Sequence, residues 1–330
     1  MISFIIPAYN ASKTIIRCLD SIYSLQLDED DFEVVAIDDC STDNTVELIT
    51  EYSNGHRNLV LLCQQENHRL GAARNRGLSV AQGGLIAFVD SDDLVGGGIV
   101  EAIKMASDND YDMVAIRVEK VTMNMAVIGE KTLPYKDEVF DGIKLQTEYP
   151  FWETAAWAYI YRKHFLDEVN YPFVEGLLYE DSDFVNVHLY HARRMSYCDE
   201  CGYLYIKNTG SITNTVSSRS LCDHALLGTR MLAFYESLPE KSTKYADSIL
   251  EGGSYNVMEA CRRLIKLQSK RDVKSFYDRF DSHYDRASLL KYKKPKYCWN
   301  WWTRLCLRYK WCATLIIGSL IPYVRLITRK

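Results

Sequence analysis

The chain has 330 residues, 47% of them hydrophobic and 25% charged, the proportions of a globular protein with one or two sizeable cores, which excludes a disordered or collagen-like chain. A net charge of −5 argues against the phosphate-neutralising surface of a general nucleic-acid binder, so no nucleic-acid partner is expected. That average hides a split: residues 286–330 carry eleven Lys or Arg and no acid, which leaves residues 1–285 at −16.

Ile2–Ile6 form an apolar run ended by Pro7, and Ser12–Leu25 then places Ile15, Leu19, Ile22 and Tyr23 at helical spacing. Phe32–Ile37 predicts a second buried strand ending in Asp38 and Asp39, with helix-start residues Ser41, Thr42 and Asp43 before Val46, Leu48 and Ile49. A third strand is predicted at Leu59–Cys63, a third helix at Gly71–Ala81 and a fourth strand at Leu85–Val89. This alternation predicts an α/β, Rossmann-like, mostly parallel sheet flanked by helices, with function at the carboxyl ends of the strands.

Three of those ends are polar: Ala8, Tyr9 and Asn10; Asp38 and Asp39; and Asp90, Ser91, Asp92 and Asp93. One Asp after a strand commonly makes a turn or caps a helix, whereas five acids at two neighbouring ends repel one another and call for a cation or donor hydrogens. No G-x-x-x-x-G-K-[ST] or G-x-G-x-x-G follows the first strand, which excludes a Walker-type nucleotidase and weakens a dinucleotide-binding enzyme. Asp90 and Asp92 share a face if the strand stays extended, where their oxygens suit Mg²⁺ or Mn²⁺ against a diphosphate. Gly96, Gly97 and Gly98 would let the chain turn around that site.

Four ordered runs, SFIIPAYNASKTIIRCLDSI, VVAIDDCSTDNT, ENHRLGAARNRGL and IAFVDSDDLV, resemble the family-2 glycosyltransferases, inverting enzymes of GT-A fold that move a sugar from a nucleotide diphosphate. The resemblance implies that Pro7, Ala8 and Tyr9 line the base pocket and that Asp39 binds the nucleoside with Asp38 beside it. It also implies that Arg74 lies near the diphosphate, that Asp90 and Ser91 belong to the donor site, and that Asp92 ligates the metal. An aromatic ring with a carboxylate suits a planar base, and a guanidinium fork suits phosphate oxygens; a salt bridge within the domain is the alternative for Arg74. Cys40 and Arg69 stand where relatives often have Gly.

An inverting transfer also needs a base for the acceptor hydroxyl. EGLLYEDSDF at Glu175–Phe184 resembles the family's acidic motif ahead of a helix, which makes Asp181 the expected catalytic base and places its neighbour Glu180 on the acceptor side. An acid-rich helix start stabilised by the macrodipole is the plainer reading of the same residues. AAWAYIYRKHFL at Ala155–Leu166 resembles the acceptor-side wall, with Tyr159 at a position where relatives carry Lys; Trp157 would stack on a sugar or sit in the core. YLYIKNTGSITN at Tyr203–Asn214 resembles the loop closing over the diphosphate, where Lys207 would neutralise the leaving group and no His supplies a further metal ligand.

The ten cysteines are scattered, no secretory leader is apparent at the start, and Cys198 with Cys201 forms the one close pair, so reduced thiols in a cytosolic compartment are expected rather than disulfides or zinc. Helical apolar spacing over Leu226–Leu238 and Ile249–Leu267 predicts a helical appendage. Residues 291–330 hold four of the six Trp among Lys and Arg, and Trp311–Val324 is uncharged but interrupted by Pro322. That combination predicts a helix lying on an anionic membrane surface rather than crossing it, or else one folded onto the protein.

The sequence thus predicts a GT-A domain over 1–215, with a donor half 1–98 and an acceptor half 99–215, a helical appendage over 216–290, and an amphipathic basic tail over 291–330. The expected function is metal-dependent, inverting transfer from a nucleotide diphospho-sugar, of which a UDP-sugar is implied by resemblance, to a saccharide or lipid-linked acceptor in surface polysaccharide synthesis. The place expected is the cytoplasmic face of the membrane. A sugar-phosphate nucleotidyltransferase, which needs a Gly-rich loop after the first strand, and a catalytically inactive binding module are the rivals.

Overall fold

The computed structural model describes residues 1–136, 138–149, 152, 154–207, 216–267, 269–292 and 301–310. The chain divides into two compact units, Met1–Asn208 and Thr209–Lys330, a boundary a little before the expected 215.

In the first unit, β1 (Ile2–Ala8), β2 (Phe32–Asp38), β3 (Leu59–Cys63) and β4 (Leu85–Phe88) alternate with α1 (Ile15–Tyr23), α2 (Thr45–Ser53) and α3 (Arg69–Val80). They pair in parallel in the order β3-β2-β1-β4. Every residue of β1 and β2 is buried, which is why both read as unbroken apolar runs rather than alternating ones. β1 pairs with β4 only as far as Ile5 opposite Phe88, so Pro7, which has no N–H to donate, lies where one side of β1 carries no ladder. The register sets Ala8 opposite Asp38 and Asp38 opposite Cys63, bringing the polar strand ends side by side at one edge.

After β5 (Leu94–Val95) and α4 (Ile99–Asp108) come β6 (Met113–Val121), β7 (Val127–Lys131), α5 (Gly142–Glu148), β8 (Tyr159–Arg162), α6 (Lys163–Val169), α7 (Glu180–His191) and β9 (Met195–Ile206). β8 joins β4 to β6 antiparallel, β6 and β9 pair in parallel, and β5 and β7 add antiparallel to β9 and β6. The glycines at 96 and 98 are not a free hinge: a Cβ on Gly96 would strike the Cys201 carbonyl and one on Gly98 the Glu200 backbone. Gly96 and Gly98 donate their N–H groups to Gly202 O (3.0 Å) and Cys201 O (2.9 Å), so close approach of two backbones demands glycine here. All eight cysteines with described side chains are free thiols.

In the second unit, α8 (Ser218–Ser237), α9 (Lys244–Arg263) and α10 (Lys270–Asp281) each begin at a Ser or Thr whose side chain accepts from the first turn. Those caps start α8 and α9 several residues ahead of the apolar spacing seen in the sequence. α11 (Trp301–Arg308) buries Thr303, Cys306 and Leu307. Trp302 Nε1 donates to Cys261 O (2.9 Å) and Tyr277 Oη to Cys306 O (3.2 Å), so this part of the basic tail turns its apolar side into the helical unit. The uncharged stretch expected on the membrane lies outside the described residues. Among the described residues, no helix is long and apolar enough to cross a membrane.

Candidate active site

At the β1 and β2 ends, Tyr9 is 47% exposed while Pro7 and Ala8 are buried, so Tyr9 alone of the three offers a side chain to a ligand. Its loop is tied down by Asn10: the Asn10 N–H donates to Ser41 Oγ (2.9 Å) and Asn10 Oδ1 accepts from the Thr42 N–H (2.8 Å). The two acids beside it have different surroundings. Asp39 accepts from His68 N (2.8 Å), Arg69 N (2.7 Å) and Gln64 Nε2 (2.8 Å), so most of its acceptor capacity is spent on holding the start of α3. Burial pushes its carboxyl up, against the pull of those two backbone donors. Asp38 accepts from Ser41 N (2.9 Å) through one oxygen, and its buried Oδ1 has no partner among the described residues. A donor N–H from a ligand would relieve that cost.

At the β4 end, Asp90, Asp92 and Asp93 have different surroundings. Asp93 is buried and fully used: Tyr203 Oη donates to Oδ2 (2.9 Å) and Ile206 N to Oδ1 (2.7 Å). It fastens β9 under the site, and burial, Asp90 and Asp92 hold its carboxyl well above the usual range. Asp90 Oδ1 accepts from Arg74 Nη2 at 2.7 Å. Asp92 is exposed, yet desolvation by its crowded neighbours and then the charge of Asp90 push it up to about 6. No group of three His, Cys, Asp or Glu able to hold a metal occurs among the described residues. Asp92 with the second oxygen of Asp90 nonetheless fits a hard cation that takes its other ligands from a diphosphate, because such a cation offsets the desolvation and then the Asp90 charge that raise Asp92.

Opposite this end stands the first turn of α7, carrying Glu180, Asp181 and Asp183. Asp181 is partly exposed and its Oδ1 accepts from the Ser182 N–H (3.0 Å). Arg74, expected to face the diphosphate, is 1% exposed and bonds Asp90 through Nη2 and Glu180 through Nη1. Glu180 is likewise buried against Arg74, not open to an acceptor as expected. Burial raises its carboxyl while Arg74 pulls it down. Trp157 also departs from its acceptor-side role: it is 6% exposed and stacks on Tyr203 with ring centres 4.4 Å apart and planes at 5°. Tyr159, in the position where relatives carry Lys, is buried beside Tyr161.

Ser91 is half-buried. Lys207 is exposed, its N–H bonded to Val121 O at 2.8 Å, and the rest of the expected closing loop lies outside the described residues. Sequence reasoning missed three contributors. Tyr203 anchors Asp93, and its hydroxyl oxygen accepts from the Asp90 N–H (3.2 Å). Arg17 on α1 is close enough to pull Asp92 down. Asn75 holds Phe173 by a reciprocal pair, Phe173 N to Asn75 Oδ1 at 3.0 Å and Asn75 Nδ2 to Phe173 O at 2.9 Å. Only Asn75 had a signal, its place beside Arg74.

The model of glycosyl transferase family 2 matches residues 3–167. The uncharacterized glycosyltransferase EpsJ of Bacillus subtilis is 28% identical over 232 residues, a match covering 68% of this chain and 66% of that relative. TarS of Staphylococcus aureus, a poly(ribitol-phosphate) β-N-acetylglucosaminyltransferase, is 27% identical over 205 residues, 62% of this chain and 35% of TarS. The crystal structure of TarS 1-349 in complex with UDP-GlcNAc superposes with a TM-score of 0.66 at 22% identity, covering 99% of this chain and 92% of that one. The mannosyltransferase PcManGT of Pyrobaculum calidifontis, in complex with GDP-Man and Mn²⁺, gives 0.54 at 16% identity, covering 100% and 88%. These likenesses agree on the fold, and with half its length matched by the family model the chain belongs to glycosyl transferase family 2.

Proposed function

We propose that this protein is a metal-dependent inverting glycosyltransferase that moves a sugar from a UDP-sugar to a saccharide or lipid-linked acceptor during synthesis of a cell-surface polysaccharide. The observation that carries the reading is the meeting of Asp90 and Glu180 at one buried guanidinium, which brings the acid cluster of the β4 end to the turn that carries Asp181. The UDP-GlcNAc bound to TarS makes that donor the first to test.

In this reading Tyr9 stacks on the base and Asp38 accepts from it, while Asp92 and Asp90 would hold Mg²⁺ or Mn²⁺. The cation, when bound, offsets charge on the leaving diphosphate, and exposed Lys207 adds to that field. Asp181 accepts the proton of the acceptor hydroxyl as its oxygen bonds to the anomeric carbon from the face opposite the diphosphate. The bond from that carbon to the diphosphate oxygen breaks in the same displacement, so UDP departs and the configuration inverts.

The charge separation along the chain supports a site of action at the cytoplasmic face of the membrane, with residues 291–330 toward anionic lipid. A screen of nucleotide-sugars for Mn²⁺-dependent release of UDP, with protection against thermal unfolding read in parallel, tests the proposal. Protection without turnover by any donor and acceptor leaves a binding module. Neither protection nor turnover removes the donor assignment altogether.

A further inference from the structure

The segment before α7 packs closely against α3 and the residue ahead of it. Gly71 leaves room for the Val174 carbonyl, which any Cβ there would strike. Asn75 clamps Phe173 from both sides of its peptide unit, and the Gly176 N–H donates to His68 O (3.3 Å). Phe173 lies under Arg74, the guanidinium carbon 5.4 Å from the ring centre, and stacks on Phe184 with centres 3.8 Å apart. The chain then enters α7 through Tyr179 at φ +66°, a left-handed conformation that a bulky residue adopts only when its surroundings impose it. One residue later Glu180 meets Arg74, 106 positions away in sequence.

We propose that Arg74 is a positioning residue: by holding Glu180 on one arm and Asp90 on the other, it fixes the first turn of α7 so that Asp181 stands at a set distance from the donor cluster. The inference rests on the reading of Asp181 as the base. Two carboxylates share one buried cation, and both of its terminal nitrogens are engaged in ion pairs with them, so Arg74 is not presented to a phosphate. Desolvation offsets most of the Coulomb energy of a buried charge pair, so the pair is weak ground for a stability role, and its two fixed arms point to a geometric one. A fork with two separate arms is what Arg supplies and Lys does not.

The test compares the full chain with Arg74→Lys, Arg74→Met and Glu180→Gln. UDP affinity is titrated with Mn²⁺, turnover is followed as UDP release, and amide hydrogen exchange is read over residues 173–184. The expected result is a fall in kcat of about 10²-fold for Arg74→Met and Glu180→Gln, the scale of a misplaced general base. UDP affinity should stay within about threefold of the parent, a difference well under 1.4 kcal/mol. Exchange should rise in 173–184 ahead of the rest of the chain, and Lys should recover part of the turnover. UDP affinity falling in step with turnover would make Arg74 a phosphate ligand and overturn the proposal. So would unchanged turnover, or a rise in acceptor KM alone for Glu180→Gln, which would make Glu180 an acceptor contact. If Arg74→Met does not fold, Glu180→Gln, which keeps the side chain's shape, carries the test. A parent without turnover removes the base reading, and the exchange of 173–184 then still decides whether Arg74 holds the turn.

Discussion

Asp90 and Asp92 stand two residues apart and are neighbours in space, yet one is tied to a guanidinium and the other faces solvent with its carboxyl pushed up to about 6. The folded chain therefore holds a proton on Asp92 between about pH 4 and 6 that the unfolded chain has released, so metal-free stability falls as pH rises through that window. A divalent cation binds only the ionised form, so stabilisation by Mn²⁺ should be present above about pH 6 and fade as pH falls through it. Melting curves with and without Mn²⁺ at pH 5 and 7.5 should show the difference only at the higher pH, and Asp92→Asn should abolish it along with metal-dependent UDP binding. A mutant with the parent's Mn²⁺ response would take Asp92 out of the site. Asp181→Asn should instead leave UDP binding intact and lower turnover by about 10²-fold, the usual scale for a lost general base. If it loses nucleotide affinity and keeps its turnover, the base is another group.

Among the elements, β1 to β4 and α1 to α3 were legible because β1, β2 and β4 are buried along their whole length and read as unbroken apolar runs, while β3, half-exposed, still carries one, and helical apolar spacing or turn residues follow them. Cluster membership was legible too, since all three polar strand ends do meet at one edge. What the sequence could not distribute was the role of each acid: Asp38 and Asp39 are adjacent, and only the path of the chain shows that Asp39 is spent on the His68 and Arg69 N–H groups. Arg74 and Glu180 were read apart for the same reason, because no local pattern announces a pair that distant in sequence. The departures from Gly at Cys40 and Arg69 prove informative: both residues stand at positive φ, +63° and +72°. The loop keeps the shape that glycine would take and carries the strain of a side chain there. Arg69→Gly should release about 1–2 kcal/mol of left-handed strain against about 0.5–1 kcal/mol of added freedom in the unfolded chain. The expected melting temperature rises by up to about 2 °C, with the Asp39 bonds to the start of α3 preserved. A lower melting temperature would mean that the Arg69 side chain contributes more than its conformation costs.

Across the whole molecule the charge divides, with −16 over residues 1–285 and +11 over 286–330, and the described part of the tail shows that its two properties are separable. α11 places Thr303, Cys306 and Leu307 in the helical unit, where Trp302 and Tyr277 add hydrogen bonds, so the chain up to Lys310 completes a core. A protein ended at Lys310 should therefore melt like the full chain, whereas one ended at Tyr292 uncovers Cys261 and Tyr277 and should be destabilised by about 2–5 kcal/mol, the range for emptied core sites. Membrane attraction, by contrast, belongs to the basic groups, each worth about 1 kcal/mol beside an anionic surface. The apolar stretch after Lys310 adds a part that salt does not screen. Co-sedimentation with anionic vesicles should thus weaken but persist in high salt for the full chain, while the protein ended at Lys310 should bind at low salt and be released by high salt. Both proteins should still bind UDP, because the strand ends that form the donor site all precede Leu94. If the full chain ignores anionic vesicles at every salt concentration, the tail is a structural part of the helical unit alone and the proposed membrane location falls with it.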